Sequence, residues 1–372
     1  MNHTSQIAGN RTQTTEGRSL ALIIWAFVLL IFGLFAFNST FGPTTERTIN
    51  PAVSGAPRPV EFSFGSDFIV QMQWGTVGMM ILIIAVCWWA WRRQPGHPYV
   101  LMTIAATGIV WQDPIMNWAP YAVYNPQLWH LPEDWWLAKL SPTVEPWVVI
   151  GYASFYFIVP FFAGTWVLRK WQARSAVDAF VWRHPLITLG ALILVIGFIF
   201  DAMLEIFSIR AGLYIYSQVI PWGSFNAGDT FQFPLIWESV MVTFVMIPAG
   251  VLCYRDDTGR TQAEKLAQQF RLFRSRPTLA TFLVMFTFLN LGYFAYGAGF
   301  GTIRASGLAT SVACPWPYPE VKIYDPQGYY EREGHPGPFF DGYWNTWMSG
   351  QPDGRPTVNP VKPDGNCKPD AG

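Results

Sequence analysis

The chain has 372 residues, of which 51% are hydrophobic and only 13% are charged. Soluble globular chains carry roughly 25% charged residues, so this composition indicates a polytopic membrane protein. The 24 basic and 24 acidic residues balance to a net charge of zero, which argues against a nucleic-acid-binding role. The lipid bilayer is therefore the first partner that we expect.

Seven apolar runs, taken in chain order, are long enough to cross a bilayer at roughly 20 residues per span. They cover residues 20–37, 69–91, 99–118, 146–168, 186–207, 231–253 and 278–299. The polar N-terminus lacks the features of a cleaved secretory signal, so the first run is predicted to be a retained span. We predict an all-α, polytopic transmembrane helix bundle, in which an N-terminal segment (1–19) precedes a membrane domain (20–300) and a C-terminal tail (301–372).

Among the prolines of these runs, Pro114, Pro160, Pro234 and Pro248 are the candidates for helix kinks. Proline removes a backbone donor and clashes with the preceding turn, so we predict a kink at each position. Backbone groups that a kink releases cannot face hydrocarbon. At those points the spans are expected to face protein or water.

The loops between the runs differ strongly in basic residues. Fourteen Lys and Arg residues fall on the side of the N-terminus, against four in the opposite short loops. Because cytoplasmic loops carry the excess of Lys and Arg, we predict a cytoplasmic N-terminus and an extracytoplasmic C-terminus for a multi-pass protein of the plasma membrane.

The C-terminal tail is rich in Pro, Gly, Trp and Tyr, as in CPWPYPE and GHPGPFFDGYWNTW. This composition favours an irregular but ordered segment over helices, and a loose C-terminus is the alternative. Cys314 and Cys367 both lie in the tail, where an oxidising compartment could join them in a disulfide.

Five acidic residues lie inside or at the mouths of the apolar runs: Asp113, Glu145, Asp201, Glu205 and Glu238. A carboxylate in hydrocarbon is costly and is usually retained for function. With the predicted orientation, all five fall in the outer part of the bundle and could surround one cavity. Glu145 directly precedes Pro146 at a predicted helix start, and we interpret it as an N-terminal cap.

The spacing of these acids predicts an acid–base pair. Asp201 and Glu205 are separated by one helical turn and share a helix face, as do Asp113 and Asn117. Two carboxyl groups that approach each other in a low dielectric cannot both ionise easily, so one of them is expected to keep its proton. The protonated group could protonate a substrate oxygen, and the ionised partner could remove a proton or stabilise a cation.

Aromatic residues near the acids are candidate walls of a substrate pocket. They are Trp111, Trp118, Tyr214, Tyr216, Phe231, Phe233 and Trp237. Such rings could exclude water and present π faces to a cationic intermediate; the alternative is ordinary packing or an interfacial belt. Arg210 could pair with Glu205 or could be an interfacial anchor.

The sequence contains no recognisable cofactor motif. The five histidines are scattered and no Cys-x-x-Cys occurs, so we predict neither a metal site nor a haem site. The glycine-rich GAGFG at 297–301 follows an apolar run instead of a strand, and no phosphate loop is present. We therefore expect no cofactor.

Three segments, WQDPIMNW, FDAMLEIFSIRAGLYIYSQV and FQFPLIWES, together with the seven runs, resemble the AveC-like spirocyclase family of actinobacteria. The resemblance implies a membrane protein that forms a spiroketal from a hydrophobic, polyketide-like dihydroxyketone, in some members with dehydration, and without a redox cofactor. It assigns no catalytic residues.

From the residues themselves we assign Asp201 and Glu205 as proton donor and acceptor, Glu238 as the stabiliser of positive charge, and Asp113 with Asn117 as the group that orients substrate hydroxyls. The alternatives are a proton-coupled transporter of a hydrophobic small molecule and a non-catalytic membrane partner. Clustering of the acids at one depth argues against a transporter, because a proton relay needs polar groups across the whole membrane.

Overall fold

A computed structural model describes residues 62–313, except for 66, 119–121, 126, 133–137, 139–140, 142, 271–274, 307 and 310, together with Ala26, Leu30 and Pro317. The longer helices are α1 (Asp67–Arg93), α2 (Pro98–Gly108), α4 (Val148–Tyr156), α5 (Val159–Gln172), α7 (Pro185–Ala211), α9 (Thr243–Cys253) and α11 (Pro277–Ala305). The shorter helices are α3 (Asp113–Trp118), α6 (Phe180–Arg183), α8 (Leu235–Met241) and α10 (Gln262–Ala267).

The described residues contain five helical stretches that are long and apolar enough to cross a membrane: Asp67–Arg93, Val148–Gln172, Pro185–Ala211, Leu235–Cys253 and Pro277–Ile303. They correspond to five of the seven predicted spans. The predicted span at 20–37 lies outside the described residues, apart from Ala26 and Leu30. The predicted span at 99–118 is helical but consists of three consecutive short segments.

The break in the helix at 99–118 has a local cause. After α2, the 3₁₀ helix Ile109–Gln112 tightens the chain, and the Asp113 N–H donates to the Val110 carbonyl. Pro114 has no N–H to continue the α-helical ladder, but its fixed φ suits the first turn of a new helix. The segment therefore restarts as α3 at Asp113, which places this carboxyl at a change of helix geometry.

The other three prolines do not all produce kinks. Pro160 stands in the first turn of α5, where the break from α4 occurs, and Pro248 lies inside α9. Pro234 is the N-cap of α8, so it begins that helix instead of bending it. The kink predicted at Pro234 is therefore wrong, because the residues before it form a loop.

The prediction of an all-α fold needs correction at one end of the bundle. Two short antiparallel pairs occur there, β1 (Ala122–Tyr124) with β2 (Tyr214–Tyr216), and β3 (Gln218–Val219) with β4 (Ser311–Val312). Gly212 ends α7 with φ of 82°, a conformation that favours glycine, and turns the chain into β2. Strand pairing satisfies backbone groups of loops that are buried here.

Residues 301–372 were predicted to form an irregular tail, but residues 301–305 are the end of α11 and β4 pairs with β3. Beyond Ala313 only Pro317 is described, and Cys314 and Cys367 lie outside the described residues.

Close helix packing forms the main core between α5, α7, α9, α11 and α2. Gly250 of α9 permits one such approach, since a Cβ there would collide with Ile193 Cδ1 of α7. The outer faces are apolar instead: Trp74 and Ile81 of α1 and Met203 of α7 are 61, 63 and 70% exposed. Apolar side chains on the outside fit a bundle that contacts lipid.

Candidate active site

One cavity of about 470 Å³ lies among α1, α3, α4, α7, α11 and the β1–β2 pair. Three of the predicted acids, Asp113, Glu205 and Glu238, line it. Its size is within the roughly 300–1,000 Å³ range of small-molecule sites. None of the described lining residues is Lys, Arg or His, so no basic side chain on this wall balances the acids.

Asp201, Glu205 and Glu238 form the acidic cluster of this cavity. One carboxyl oxygen from each lies within 4.8 Å of the others, and all three side chains are buried. Asp201 and Glu205 share a face of α7, and Glu238 approaches from the first turn of α8. Asp201 lies sixteen residues after Pro185, the first residue of α7, which is about 24 Å along the helix axis.

A buried loop positions Glu238. The Gln232 side chain donates from Nε2 to the Tyr216 carbonyl at 2.9 Å and to the Ser217 and Ser311 carbonyls at 3.2 Å. These bonds tie the segment before α8 to the end of β2 and to β4. The Glu238 N–H then donates to the Pro234 carbonyl at 2.7 Å, so the helix begins with its acid directed into the cluster.

Every acid of the cavity has a tyrosine donor. The Tyr216 hydroxyl donates to Glu205 Oε2 at 2.9 Å, and the Tyr296 hydroxyl donates to Glu238 Oε1 at 2.6 Å. Tyr293 donates to Asp113 Oδ1 at 2.9 Å, and Tyr156 donates to Asp201 Oδ1. A phenol keeps an apolar wall around the cavity while its hydroxyl satisfies part of each buried carboxyl.

Two oxygens of the acidic cluster, Asp201 Oδ2 and Glu238 Oε2, are buried without a hydrogen-bond partner among the described residues. An unpaired buried carboxyl oxygen is costly unless it carries or receives a proton, or binds a cation. Hard divalent cations prefer oxygen ligands, so Asp201, Glu205 and Glu238 are the described residues that could hold one. The sequence search for His and Cys ligands did not consider this carboxyl set.

A second polar group lies around Asn117. Its Nδ2 donates to Asp113 Oδ2 at 3.0 Å and to Glu145 Oε2 at 2.8 Å, and Ser141 Oγ donates to the same Glu145 oxygen at 2.5 Å. The interpretation of Glu145 as a cap is wrong, because α4 begins after Trp147 and has no side-chain cap. Burial, together with the nearby Asp113, raises the pKa of Glu145 well above its ordinary value.

The predicted binding residues are only partly brought to the cavity. Asn117 and Tyr214 line it. Trp111 is 49% exposed and donates to Asn290 Oδ1 at 2.9 Å, and Trp237 donates to the Trp222 carbonyl at 2.9 Å; neither lines the cavity. Trp111 is thus an outer residue, whereas Trp237 is partly buried against the helical core. The side chain of Trp118 lies outside the described part of the chain.

The possible Arg210–Glu205 pair is not present among the described residues. The Arg210 guanidinium lies over the Phe231 ring at 4.2 Å, and Glu205 is bound by tyrosines instead. An arginine at the C-terminal end of α7 also suits the helix dipole and an interfacial position. The structure thus favours the anchor interpretation.

The residues that the sequence reasoning missed are tyrosines: Tyr124, Tyr152, Tyr156, Tyr293 and Tyr296. Their spacing contained a signal. Tyr152 and Tyr156 are four apart in one apolar run, and Tyr293 and Tyr296 are three apart in another. Phenols at helical spacing in a span indicate a polar stripe facing the interior, since a buried hydroxyl needs a partner.

Comparison with known proteins agrees with the resemblance in the motifs. No curated protein and no solved structure matches the chain significantly. A family model described as "Spirocyclase AveC-like" matches residues 91–324, more than half of the chain and the part that contains all five acids. The chain belongs to the AveC-like spirocyclase family, whose description supports a cyclase-type role.

Proposed function

We propose that this protein is a membrane-embedded acid–base cyclase that converts a hydrophobic dihydroxyketone to a spiroketal. The observation that carries the proposal is the acidic cluster: three buried carboxyls lie together, and two of them, Glu205 and Glu238, line an apolar cavity whose described lining has no basic residue. Such a site favours positive charge that develops on a bound neutral substrate.

The chemistry follows from the needs of ketal formation. One substrate hydroxyl adds to the ketone to give a hemiketal. A protonated carboxyl of the Asp201–Glu205 pair then donates a proton to the hemiketal hydroxyl, and the C–O bond breaks to release water and leave an oxocarbenium ion. The second hydroxyl attacks this carbon, and its proton passes to the ionised member of the pair. The balance is one dihydroxyketone to one spiroketal and one water.

Glu238 and the tyrosines complete the proposed site. Glu238 approaches from α8, opposite the α7 pair, and its carboxylate is suited to stabilise the oxocarbenium ion. The rings of Tyr293 and Tyr296 stack with centroids 5.7 Å apart and supply an electron-rich wall. Asp113 and Asn117 line the same cavity and are placed to accept hydrogen bonds from substrate hydroxyls.

The membrane arrangement that we propose has seven spans, a cytoplasmic N-terminus and the cavity in the outer leaflet. Basic residues support this orientation: Arg92 and Arg93 end α1, where they lie over Trp88 and Trp89 at 4.8 and 4.1 Å. Arg183 precedes α7 at the end opposite to Asp201. Basic and aromatic residues together are typical of the membrane interface.

The proposal is tested by metabolite profiling of a strain that lacks this protein. We expect an open dihydroxyketone to accumulate, and the wild-type chain to restore the spiroketal. Asp201→Asn and Glu238→Gln should each fail to restore it, whereas Asp257→Asn, at an exposed acid of a loop, should succeed. Restoration by both site variants at the wild-type level and with the same stereochemistry would overturn the proposal.

A carrier of the same compound is distinguished from a cyclase by whether the compound is chemically converted or only moved across the membrane. A cyclase converts the dihydroxyketone in detergent solution, where no gradient exists. A proton-coupled carrier instead gives uptake into proteoliposomes that depends on a pH gradient and leaves the compound chemically unchanged.

A further inference from the structure

Glu145 is nearly fully buried, yet it does not line the cavity. Its backbone carbonyl accepts from the Leu131 N–H at 2.8 Å, in a loop segment that also forms the His130–Pro146 bridge. Its carboxyl group faces Asn117, Ser141 and Asp113. A burial this complete next to another acid is costly for a residue with no role.

The hydrogen bonds around Asn117 define the orientation of its amide. Both acceptors of the Asn117 nitrogen are carboxyl oxygens, Asp113 Oδ2 at 3.0 Å and Glu145 Oε2 at 2.8 Å. The reverse orientation would set the amide oxygen against these oxygens, and is therefore disfavoured. The amide nitrogen is committed to the two acids, and the amide oxygen of this cavity-lining residue is the acceptor for which the described part of the chain supplies no donor.

The carboxyl group of Asp113 is also fixed by hydrogen bonds. Tyr293 donates to its Oδ1 and Asn117 donates to its Oδ2, and the carboxyl lines the cavity. Glu145 and Asp113 both accept from the same Asn117 nitrogen, so the two carboxyl groups lie side by side. Two carboxyl groups this close in a low dielectric cannot both ionise easily, so the pair favours a proton on one of them.

We infer that Glu145 is a positioning residue that holds the Asn117 amide oxygen toward the cavity, so that Asn117 and Asp113 present one substrate hydroxyl to a single face of the ketal carbon. The inference rests on the proposed cyclase function. Through Asn117, Glu145 controls the stereochemistry of the spiro centre and the binding of the substrate hydroxyl, although Glu145 itself does not contact the substrate.

The test compares two substitutions of one residue. Glu145→Gln keeps an acceptor for Asn117 and Ser141 and a donor for Asp113, so it mimics the protonated acid. Glu145→Leu has a similar volume but removes both functions and releases the amide. With a synthetic alkyl dihydroxyketone as the probe, the ratio of spiroketal epimers, KM and kcat are measured separately in detergent.

We expect Glu145→Gln to retain the wild-type epimer ratio and a KM within about twofold. Glu145→Leu should raise KM roughly tenfold, as expected for the loss of a buried hydrogen bond, and should produce a mixture of epimers. An epimer ratio and KM unchanged in folded Glu145→Leu protein, or a Glu145→Gln variant as impaired as Glu145→Leu, would overturn the inference.

A second variant covers the case in which Glu145→Leu does not fold. Asn117→Leu removes the amide that Glu145 holds, and it should give the same epimer mixture; unchanged stereochemistry would again contradict the inference. Failure of the cyclase proposal is separate, since it appears as full activity in Asp201→Asn. If Asp201→Asn is inactive while both other variants keep the wild-type epimer ratio, only the role of Glu145 is wrong.

Discussion

At the scale of single residues, the site is a set of buried carboxyl groups that each have a tyrosine donor. This arrangement satisfies one oxygen and leaves another for chemistry, as at Glu238, where Tyr296 binds Oε1 and Oε2 is unpartnered among the described residues. Full satisfaction of both oxygens would make a carboxyl a poor proton donor or acceptor. The tyrosines therefore position the acids without saturating them.

Removal of one such donor should weaken both catalysis and folding. Tyr296→Phe leaves both oxygens of the Glu238 carboxyl unpaired, at a cost of about 1–3 kcal/mol in the free energy of unfolding, and lowers kcat roughly tenfold. Turnover and thermal unfolding in detergent measure the two effects. Tyr254→Phe is the matched control, since Tyr254 follows Cys253 at the far end of α9. Equal behaviour of the two variants would contradict this role of the tyrosine.

Glu145 predicts a pH dependence of stability. Its pKa in the folded protein is raised by burial and by Asp113. The stabilisation that depends on its proton is therefore fully present below the unfolded pKa and is lost as pH rises through the folded pKa. Glu145→Gln cannot ionise, so its melting temperature should fall less than that of the wild type between mildly acidic and alkaline pH. Parallel melting curves across that range would contradict the raised pKa.

At the scale of elements, the apolar runs predicted five long helical stretches, and several of their ends agree within a few residues, because span length and apolar composition are local properties. The breaks within the spans were harder to predict from the sequence. Proline alone did not reveal that Pro234 begins a helix or that the 99–118 run changes to a 3₁₀ segment. Those outcomes depend on loops held by other parts of the chain, such as the Gln232 bonds to Ser217 and Ser311.

In the candidate site, too, local spacing was predicted correctly, whereas contacts between distant parts of the chain were not. Helical spacing placed Asp201 and Glu205 on one face, and orientation predicted that Glu238 and Asp113 would approach them. Glu145 was misinterpreted because its neighbour Pro146 suggested a helix start, whereas α4 begins at Val148. Its actual partner, Asn117, is 28 residues away, and such a contact requires the folded β1 segment between them.

Helix packing gives a test at this scale. Alanine in place of glycine favours a helix by about 0.5–1 kcal/mol, and Gly301 of α11 has open space around its Cα, so Gly301→Ala should preserve or raise the melting temperature. Gly250→Ala should lower the melting temperature, because the new Cβ would collide with Ile193 and would approach Phe161 to 3.1 Å. An equal stabilisation by both substitutions would show that α7 and α9 are not closely packed.

At the scale of the whole molecule, the bundle has an apolar exterior and, near one end, an apolar cavity beside the acidic cluster. α7 and α11 both begin near basic residues, Arg183 and Arg276; after sixteen residues α7 reaches the acidic cluster at Asp201, and α11 reaches the cavity at Tyr293. The distance is about 24 Å in each case, which is most of the thickness of the hydrocarbon core. A hydrophobic substrate that dissolves in the bilayer would thus meet acids that bulk water does not surround.

The proposed mechanism needs protons only, although the acidic cluster has oxygens that could also bind a divalent cation. Treatment of the purified protein with EDTA is therefore expected to leave turnover within about twofold of the untreated sample. Loss of activity that Mg²⁺ or Ca²⁺ restores would show instead that Asp201, Glu205 and Glu238 act as metal ligands.

In the proposed mechanism, the acidic cluster performs the ring closure. The most direct measurement is conversion of a synthetic alkyl dihydroxyketone to its spiroketal by purified protein in detergent, compared between wild type, Asp201→Asn and Asp257→Asn. We predict that Asp201→Asn lowers kcat at least about 100-fold, the usual contribution of a general acid–base group, while Asp257→Asn matches the wild type. Wild-type turnover in folded Asp201→Asn protein would contradict the account.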